Sequence, residues 1–212
     1  MGALKNRCVI IGGGDCSDLI LKNNIDIAND YIICADSGYD YAMSAKIMPS
    51  LIIGDFDSIK AITKEEEKIT LPVEKDVTDT VAAFYEGVKR GFKEFVLFGG
   101  TGGRFEHTFS NISLMAKATN DGYKFTIIDD KHIYRCAHNS SIKINKKENQ
   151  QVSVFAYGGI AMGVSEKGFY YSLDNYNLDP FDGCLGTSNH IVDDYGEIIV
   201  VDGTLVVIET KM

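Results

Sequence analysis

Five aspartates stand in three short segments of the N-terminal half: Asp36 in Ala35-Asp36-Ser37-Gly38, Asp55 and Asp57 in Ile53-Gly54-Asp55-Phe56-Asp57-Ser58, and Asp76 and Asp79 in Lys75-Asp76-Val77-Thr78-Asp79. Carboxylates gathered in one place repel each other and raise one another's pKa unless a cation lies among them. Hard oxygen donors at this density suit Mg²⁺, which keeps several waters and shares one or two protein carboxylates with substrate phosphates. The spacing of Asp55 and Asp57 puts two carboxylates on one side of an extended strand end, because alternate residues face the same way. That spacing also occurs in plain surface turns. The buried run Leu51–Ile53 ahead of it and the three further aspartates favour the metal reading.

A glycine-rich segment supplies the complementary half. Phe98-Gly99-Gly100-Thr101-Gly102-Gly103-Arg104 follows a predicted strand and opens a predicted helix. Small residues let backbone N–H groups approach phosphate oxygens, the helix N-terminus favours negative charge, and an arginine grips phosphate in bidentate fashion. A tight strand-to-helix turn with a surface arginine is the plainer alternative. His107, one helical turn on, serves equally as a cap, a packing residue or an acid–base group. Gly12-Gly13-Gly14 makes a poor dinucleotide fingerprint, with Ser17 in the third-glycine position and no separate acidic residue for a ribose, and a tight turn accounts for it. Carboxylates and a glycine–arginine loop are together the parts needed for metal-assisted transfer from a nucleoside triphosphate, and the Walker A pattern is absent.

The elements that must position these residues are legible in the apolar pattern. Arg7–Ile11, Tyr31–Ala35, Leu51–Ile53, Phe95–Phe98 and Phe125–Ile128 read as buried parallel strands. A helix is predicted from about Thr80 to Arg90 on the spacing of Val81, Phe84, Tyr85 and Val88, with Gly91 as its stop. A second follows Glu106, with Phe109, Ile112, Met115 and Ala116 on one face, while Lys64–Lys68 reads as the solvated face of another. Strands alternating with helices imply an α/β fold, a doubly wound, mostly parallel sheet with helices on both faces, whose ligand edge lies at the strand C-termini. After about Arg135 the helical period fades and turn pairs recur (Gly158-Gly159, Asp174-Asn175, Asp202-Gly203) between alternating runs such as Gln151–Tyr157 and Thr204–Thr210. That texture predicts an all-β sandwich. The expected domains are therefore residues 1–134 and 135–212.

Composition narrows the function classes. The chain of 212 residues is 45% hydrophobic and 24% charged, an ordinary globular balance. A net charge of −9 gives no broad basic face for a nucleic-acid backbone. No stretch approaches the roughly 20 apolar residues of a membrane helix. The N-terminus lacks a signal-peptide pattern, and Asn6 stands where a myristoylation motif wants Ser or Thr, so a cytoplasmic protein is expected. Five cysteines form neither a CxxC pair nor a zinc spacing with the four histidines and read as core thiols.

The ordered motifs resemble those of the thiamine pyrophosphokinase family. They are Asp36-Ser37-Gly38, the run Pro49–Ile59 with its IIGDFDS core, Lys75–Thr80, Gly99–His107 followed by Asn111-Ile112, then Gly186-Thr187-Ser188-Asn189, and Gly168–Leu173, which is similar to the family's GLKYPL strand. The resemblance implies a catalytic α/β domain, a β-sandwich that binds thiamine, and a homodimer with thiamine at the subunit interface. It implies transfer of a diphosphate group from ATP to the thiamine hydroxyl with release of AMP. On this reading Asp36, Asp55, Asp57 and Asp76 hold Mg²⁺, and Asp55, Asp57, Asp76 and Asp79 form the catalytic group. ATP falls to Asp36, Ser37, Gly38, Gly100, Gly102, Gly103, Arg104 and His107, and thiamine to Tyr171 with Ser188 and Asn189, the latter two supplied across the dimer to the pyrimidine ring. Three positions depart from the family pattern: Glu106 where Asp is commoner, Val81 where Glu often follows TDT, and Tyr171 where some members carry Trp.

Two other readings remain open from sequence. One is a DxD phosphohydrolase with Asp55 as nucleophile; the other is a non-catalytic sensor of nucleotide or thiamine. Gly54 interrupting the strand argues against the first, and the density of aspartates against the second.

Overall fold

The computed structural model describes residues 7–55, 67–72, 77–182 and 185–212. The chain divides into two compact units. One comprises Met1–Leu114 and Tyr123–Asp130, the other Met115–Gly122 and Lys131–Met212.

The first unit holds β1 (Arg7–Ile11), α1 (Asp18–Asn24), β2 (Asp30–Ala35), α2 (Gly38–Ser44), β3 (Leu51–Gly54), β4 (Lys68–Thr70), α3 (Asp79–Lys89), β5 (Glu94–Phe98), the first turns of α4 (Phe105–Asn120), and β6 (Lys124–Ile128). Its strands run in the order β4-β3-β2-β1-β5-β6, every pair parallel. Alternate residues divide between the two faces, as the period of a strand requires. Val9, Ile11, Ile32, Cys34, Val96 and Phe98 pack with Leu21 of α1 and with Tyr39 and Ala42 of α2. On the other face Phe84 of α3 meets Phe95 with ring centroids 4.8 Å apart and Phe125 at 5.6 Å. Helices thus cover both faces of a parallel sheet, the doubly wound arrangement.

Two elements differ from the sequence pattern. Of the stretch Lys64–Lys68, expected on a helix, only Glu67 and Lys68 are described. The Glu67 carbonyl accepts from Ile52 N at 3.0 Å and Lys68 opens β4, so an edge strand continues the sheet there. Gly168–Ser172, likened to a strand, forms bends around an isolated bridge at Phe169.

The strand order contains a reversal that matters for the site. From β1 the chain works outward through β2, β3 and β4, then returns to add β5 on the other side of β1. The loops leaving β1 and β5 therefore part in opposite directions. Such a switch point is where open α/β sheets leave a crevice for ligand.

Among its described residues the second unit contains the last turns of α4 and seven strands: β7 (His132–His138), β8 (Ser141–Asn145), β9 (Gln150–Ala156), β10 (Ala161–Lys167), β11 (Leu173–Leu178), β12 (Tyr195–Ile199) and β13 (Thr204–Lys211). Strands β7-β13-β9 and β11-β10-β12-β8 form two antiparallel layers. Val152, Val154, Val164, Phe169, Leu178, Ile198, Leu205 and Val207 fill the space between them.

Candidate functional site

The crevice is built by two interlocked glycine loops. Gly12 N donates to Phe98 O at 2.8 Å, Gly14 N to Gly99 O at 2.8 Å, and Asp15 N to Thr101 O at 2.9 Å. A Cβ on Gly14 would strike the carbonyl oxygens of Thr101 and Gly99, and one on Gly99 (φ 62°) would strike that of Gly12. These obstacles are backbone atoms, which have no rotamer to escape into. Gly12 and Gly14 are thus required by the close approach of two backbones, whereas a Cβ on Gly13 would meet the Ser37 side chain.

Side chains pin the second loop from behind. Thr101 and Asn111 are both buried. The Thr101 hydroxyl donates to Asp129 Oδ2 at 2.8 Å, and Asn111 Nδ2, from α4, donates to Gly100 O at 2.8 Å. Beyond this anchor Gly102 (φ 78°) and Gly103 (φ 56°) turn through the left-handed region that glycine enters without steric cost.

At the end of β2, Asp36 also sits left-handed (φ 49°), a conformation aspartate tolerates better than most residues. Its N–H donates to Ile53 O at 2.8 Å, tying it to the end of β3. Ser37 follows as the N-cap residue of α2 without a capping hydrogen bond from its side chain. At the start of α3, Thr78 caps the helix by accepting from Val81 N at 3.3 Å, which places Asp79 in the first turn.

These pieces enclose a cleft of about 340 Å³, lined by Gly13, Gly14, Asp15, Asp36, Ser37, Thr78, Asp79, Gly100, Gly102, Gly103, Arg104 and His107, among others. The volume lies within the usual range for small-molecule sites. Among the described lining residues are three carboxylates (Asp15, Asp36 and Asp79), one guanidinium and one imidazole, so acidic groups outnumber basic ones. Arg104 is largely exposed and its Nε donates to Glu106 Oε1 at 2.7 Å. The Glu106 backbone N–H first, and then that contact, hold the Glu106 carboxyl below the ordinary glutamate value.

The structure thus gathers Asp36, Ser37, Asp79, Gly100, Gly102, Gly103, Arg104 and His107 around one cleft. Gly38 does not line it. Its lack of a side chain lets α2 start against the Ile11 carbonyl, where a Cβ would collide. Asp55 is partly buried just past β3 and is not among the lining residues. Asp57 and Asp76 lie outside the described residues. Among the described residues no group of three His, Cys, Asp or Glu side chains is arranged to hold a metal ion. The sequence reading took Gly13 and Gly14 for a tight turn, named Thr101 only as part of the glycine-rich run, and passed over Asp15 and Asp129. The glycine triplet after the first strand was the available signal; pairing Thr101 with Asp129 needed the sheet order.

In the second unit, Ser188 is exposed in a left-handed turn (φ 55°), its N–H donating to Ser153 Oγ at 3.0 Å. Asn189 is buried. Its Nδ2 donates to Glu166 Oε2 at 2.8 Å and to Tyr171 O at 2.6 Å, and its Oδ1 accepts from Tyr171 N at 3.1 Å and His190 N at 3.0 Å. An asparagine amide offers two donors and two lone pairs, and all four are used. A hydrogen bond from this side chain to a ligand requires one of them to be given up. Tyr170 and Tyr171 stay exposed beside it.

Two family models match the chain. That for the thiamin pyrophosphokinase catalytic domain covers residues 23–127, and that for the thiamin pyrophosphokinase vitamin B1 binding domain covers residues 139–205. The chain belongs to the thiamin pyrophosphokinase family. It is 27% identical to thiamine pyrophosphokinase of Bacillus subtilis over 185 residues, covering 84% of this chain and 86% of the relative. It is 25% identical to thiamin pyrophosphokinase 1 of Caenorhabditis elegans, covering 87% and 81%. The crystal structure of the Bacillus subtilis thiamine pyrophosphokinase superposes with a TM-score of 0.88 at 25% identity over 97% of this chain and 99% of that one. Yeast thiamin pyrophosphokinase shares the fold, with a TM-score of 0.73 at 16% identity over 97% of this chain and 86% of that one. Membership makes the chain a diphosphotransferase of the kinase type. The matched catalytic segment begins after the Gly12–Gly14 loop, so one wall of the cleft lies outside it. The vitamin B1 binding segment takes in Glu166, Tyr171, Ser188 and Asn189.

Proposed function

We propose that this thiamin pyrophosphokinase family member transfers the diphosphate group of ATP to the hydroxyl of thiamine, giving thiamine diphosphate and AMP, with Mg²⁺ as cofactor. The observation that carries the reading is the cleft at the switch point of the sheet, where Asp36 and Asp79 line the same space as the glycine loop and Arg104.

The donor set fits magnesium. Asp36 and Asp79 offer carboxylate oxygens, Asp55 stands at the neighbouring strand end, and Mg²⁺ usually takes one or two protein carboxylates and completes its shell with phosphates and water. Asp57 and Asp76 complete the proposed set. When bound, the ion neutralises phosphate charge and supports the departing AMP oxygen. The chain's own residues do the rest. The loop from Gly99 to Arg104 receives the phosphates, with Gly103 in open space. The buried hydrogen bonds of Thr101 and Asn111 hold that loop in shape before ligand arrives, so little ordering remains to be done on binding. A cleft aspartate accepts the hydroxyl proton as the bond to phosphorus forms. The acidic surface, net charge −9, draws the cationic thiazolium.

Tyr171 and Ser188 are proposed to meet thiamine, the acting species is proposed to be a homodimer, and the cytoplasm its place of action; these rest on the resemblance. Among the described residues no helix is long and apolar enough to cross a membrane. Neither the phosphohydrolase nor the sensor reading agrees with membership of a diphosphotransferase family.

The test is to incubate the protein with ATP, Mg²⁺ and thiamine and identify products. AMP and thiamine diphosphate formed in equal amounts support the proposal. ADP with thiamine monophosphate, or phosphate released without acceptor, overturns it.

A further inference from the structure

Three acidic side chains are buried among the described residues: Asp30, Glu166 and Glu209. Asp30 pairs with Arg7 at 2.7 Å, and Glu209 with Arg135 at 2.8 Å. Glu166, on β10 and 1% exposed, has no such cation among the described residues. Its Oε2 accepts from Asn189 Nδ2, and its Oε1 has no hydrogen-bond partner among them. A buried carboxyl without a counter-ion destabilises a fold unless what it holds repays it, so what it holds is informative.

It holds the orientation of one amide. With Glu166 Oε2 on one side only the NH₂ end of Asn189 can face it, which turns Oδ1 toward the N–H groups of Tyr171 and His190. Asn189 then binds both the N–H and the C=O of Tyr171, as a neighbouring strand would. The Tyr171 side of the bend, which lies outside any strand, is fixed this way, while Tyr170 N–H donates to the His190 carbonyl at 3.0 Å. Above it Tyr170 stacks on His190 (centroids 4.9 Å, 20° between planes) and meets Tyr171 edge-on (4.9 Å, 88°). Both tyrosines are nonetheless more than half exposed, at 62% and 66%. A rigid, uncovered aromatic surface suits a flat cationic ring, since the ring faces attract positive charge and the ordering has been done in advance.

We propose that Glu166 is a positioning residue for thiamine recognition: through Asn189 it sets the Tyr170–Tyr171 bend against which the ring system of thiamine rests. This deepens the functional reading above and rests on it.

The full-length chain is compared as wild type, Glu166→Leu and Glu166→Gln. Glu166→Leu removes the acceptor and frees the amide to turn. Its KM for thiamine rises about tenfold, while KM for ATP and kcat at saturating thiamine stay within about twofold. Glu166→Gln still offers an oxygen to Asn189 and returns KM for thiamine to within about threefold of wild type. An unmoved thiamine KM in Glu166→Leu, an equal rise in the KM for ATP, or a failure of Gln to rescue overturns the proposal. Should Glu166→Leu not fold, the exposed pair Tyr170→Ala/Tyr171→Ala decides: a raised thiamine KM with an unchanged ATP KM supports the proposal, and an unchanged thiamine KM overturns it. A wild type that makes no thiamine diphosphate defeats the functional reading and this inference together. A wild type that does, beside variants whose thiamine KM does not move, defeats this inference alone.

Discussion

The cleft of the first unit and the aromatic bend of the second combine backbone and side-chain hydrogen bonds in different proportions. In the cleft the backbones of two glycine loops hydrogen-bond directly, and the geometry follows from the sheet order that sends β1 and β5 apart. At the bend the backbone pairing is short, an isolated bridge at Phe169 and the bond from Tyr170 N–H to His190 O, and at Tyr171 a buried carboxyl and amide supply the hydrogen bonds from side chains. The backbone contact in the cleft forbids added atoms at its glycines, with Thr101 and Asn111 bracing it from behind. A side-chain-built site tolerates added atoms at its exposed tyrosines and fails when one polar group is lost.

The largest effect should come from the groups both designs exist to place. Asp79→Asn keeps the size and the helix N-terminal position but removes a charge from the cleft. Its kcat is expected to fall at least about a hundredfold. Thiamine binding, followed by quenching of tyrosine fluorescence in a chain with no tryptophan, should change little. Asp55→Ala is expected to act the same way. Full turnover in either would remove that carboxylate from the catalytic group.

Much of the cleft was legible in advance because chemistry and geometry sit close together in the chain. Asp36, Asp79 and the run Gly99–Arg104 each follow directly on a strand or open a helix, so apolar periodicity alone put them at one sheet edge. Gly12–Gly14 was read as a plain turn because no nucleotide fingerprint accompanied it; its partner, the Gly99 loop, is far off in sequence and becomes adjacent only once β5 is known to pair with β1. Lys68 misled for a similar reason: a charged run hides a three-residue edge strand whose pairing with β3 is decided by tertiary contact. The Glu166–Asn189 bond joins residues 23 apart in a region of short strands, where no period links them. The resemblance named Asn189 for thiamine, and nothing in the sequence showed that its own fold saturates it.

The backbone-built side of the comparison is tested by Gly14→Ala. The added methyl meets two carbonyl oxygens, and relief requires moving a loop. A cost of about 1–3 kcal/mol in stability and a marked rise in KM for ATP are expected. Gly158→Ala is the control. Gly158 has a positive φ of 78°, which Gly14 does not, and open space around it, so it should carry only the conformational strain of about 1–2 kcal/mol and leave both KM values alone. Equal kinetic behaviour of the two variants would mean that the loops are not interlocked in solution.

The side-chain-built region makes a smaller prediction, in the pH dependence of stability. Burial pushes the Glu166 carboxyl above the ordinary glutamate range, more than its hydrogen bond with Asn189 lowers it. The folded chain therefore holds this proton to higher pH than the unfolded chain does. The contribution of Glu166 to stability is fully present below the unfolded value and is lost as pH rises through the folded one. Glu166→Gln does not titrate. Thermal melts should show it gaining on wild type between the ordinary glutamate range and pH 8, with the gap closing again in acid. A gap constant with pH would mean that the carboxyl is not desolvated in the way its burial indicates.

The smallest effect tests an exposed contact at the mouth of the cleft. Arg104 can serve a phosphate only after leaving Glu106, and both side chains are open to solvent, at 73% and 65% exposure. Screened pairs of this kind are weak, so the competition for the guanidinium is slight. Glu106→Ala frees Arg104 and removes a negative charge from the approach of a polyanion. KM for ATP should fall by about twofold at low salt, and the advantage should disappear near 0.5 M salt, where the Debye length is roughly 4 Å. KM for thiamine should not change. Were KM for ATP to rise instead, Glu106 would be holding Arg104 in the orientation that phosphate needs, and the side-chain bracing seen at the aromatic bend would have a counterpart at the edge of the backbone-built cleft.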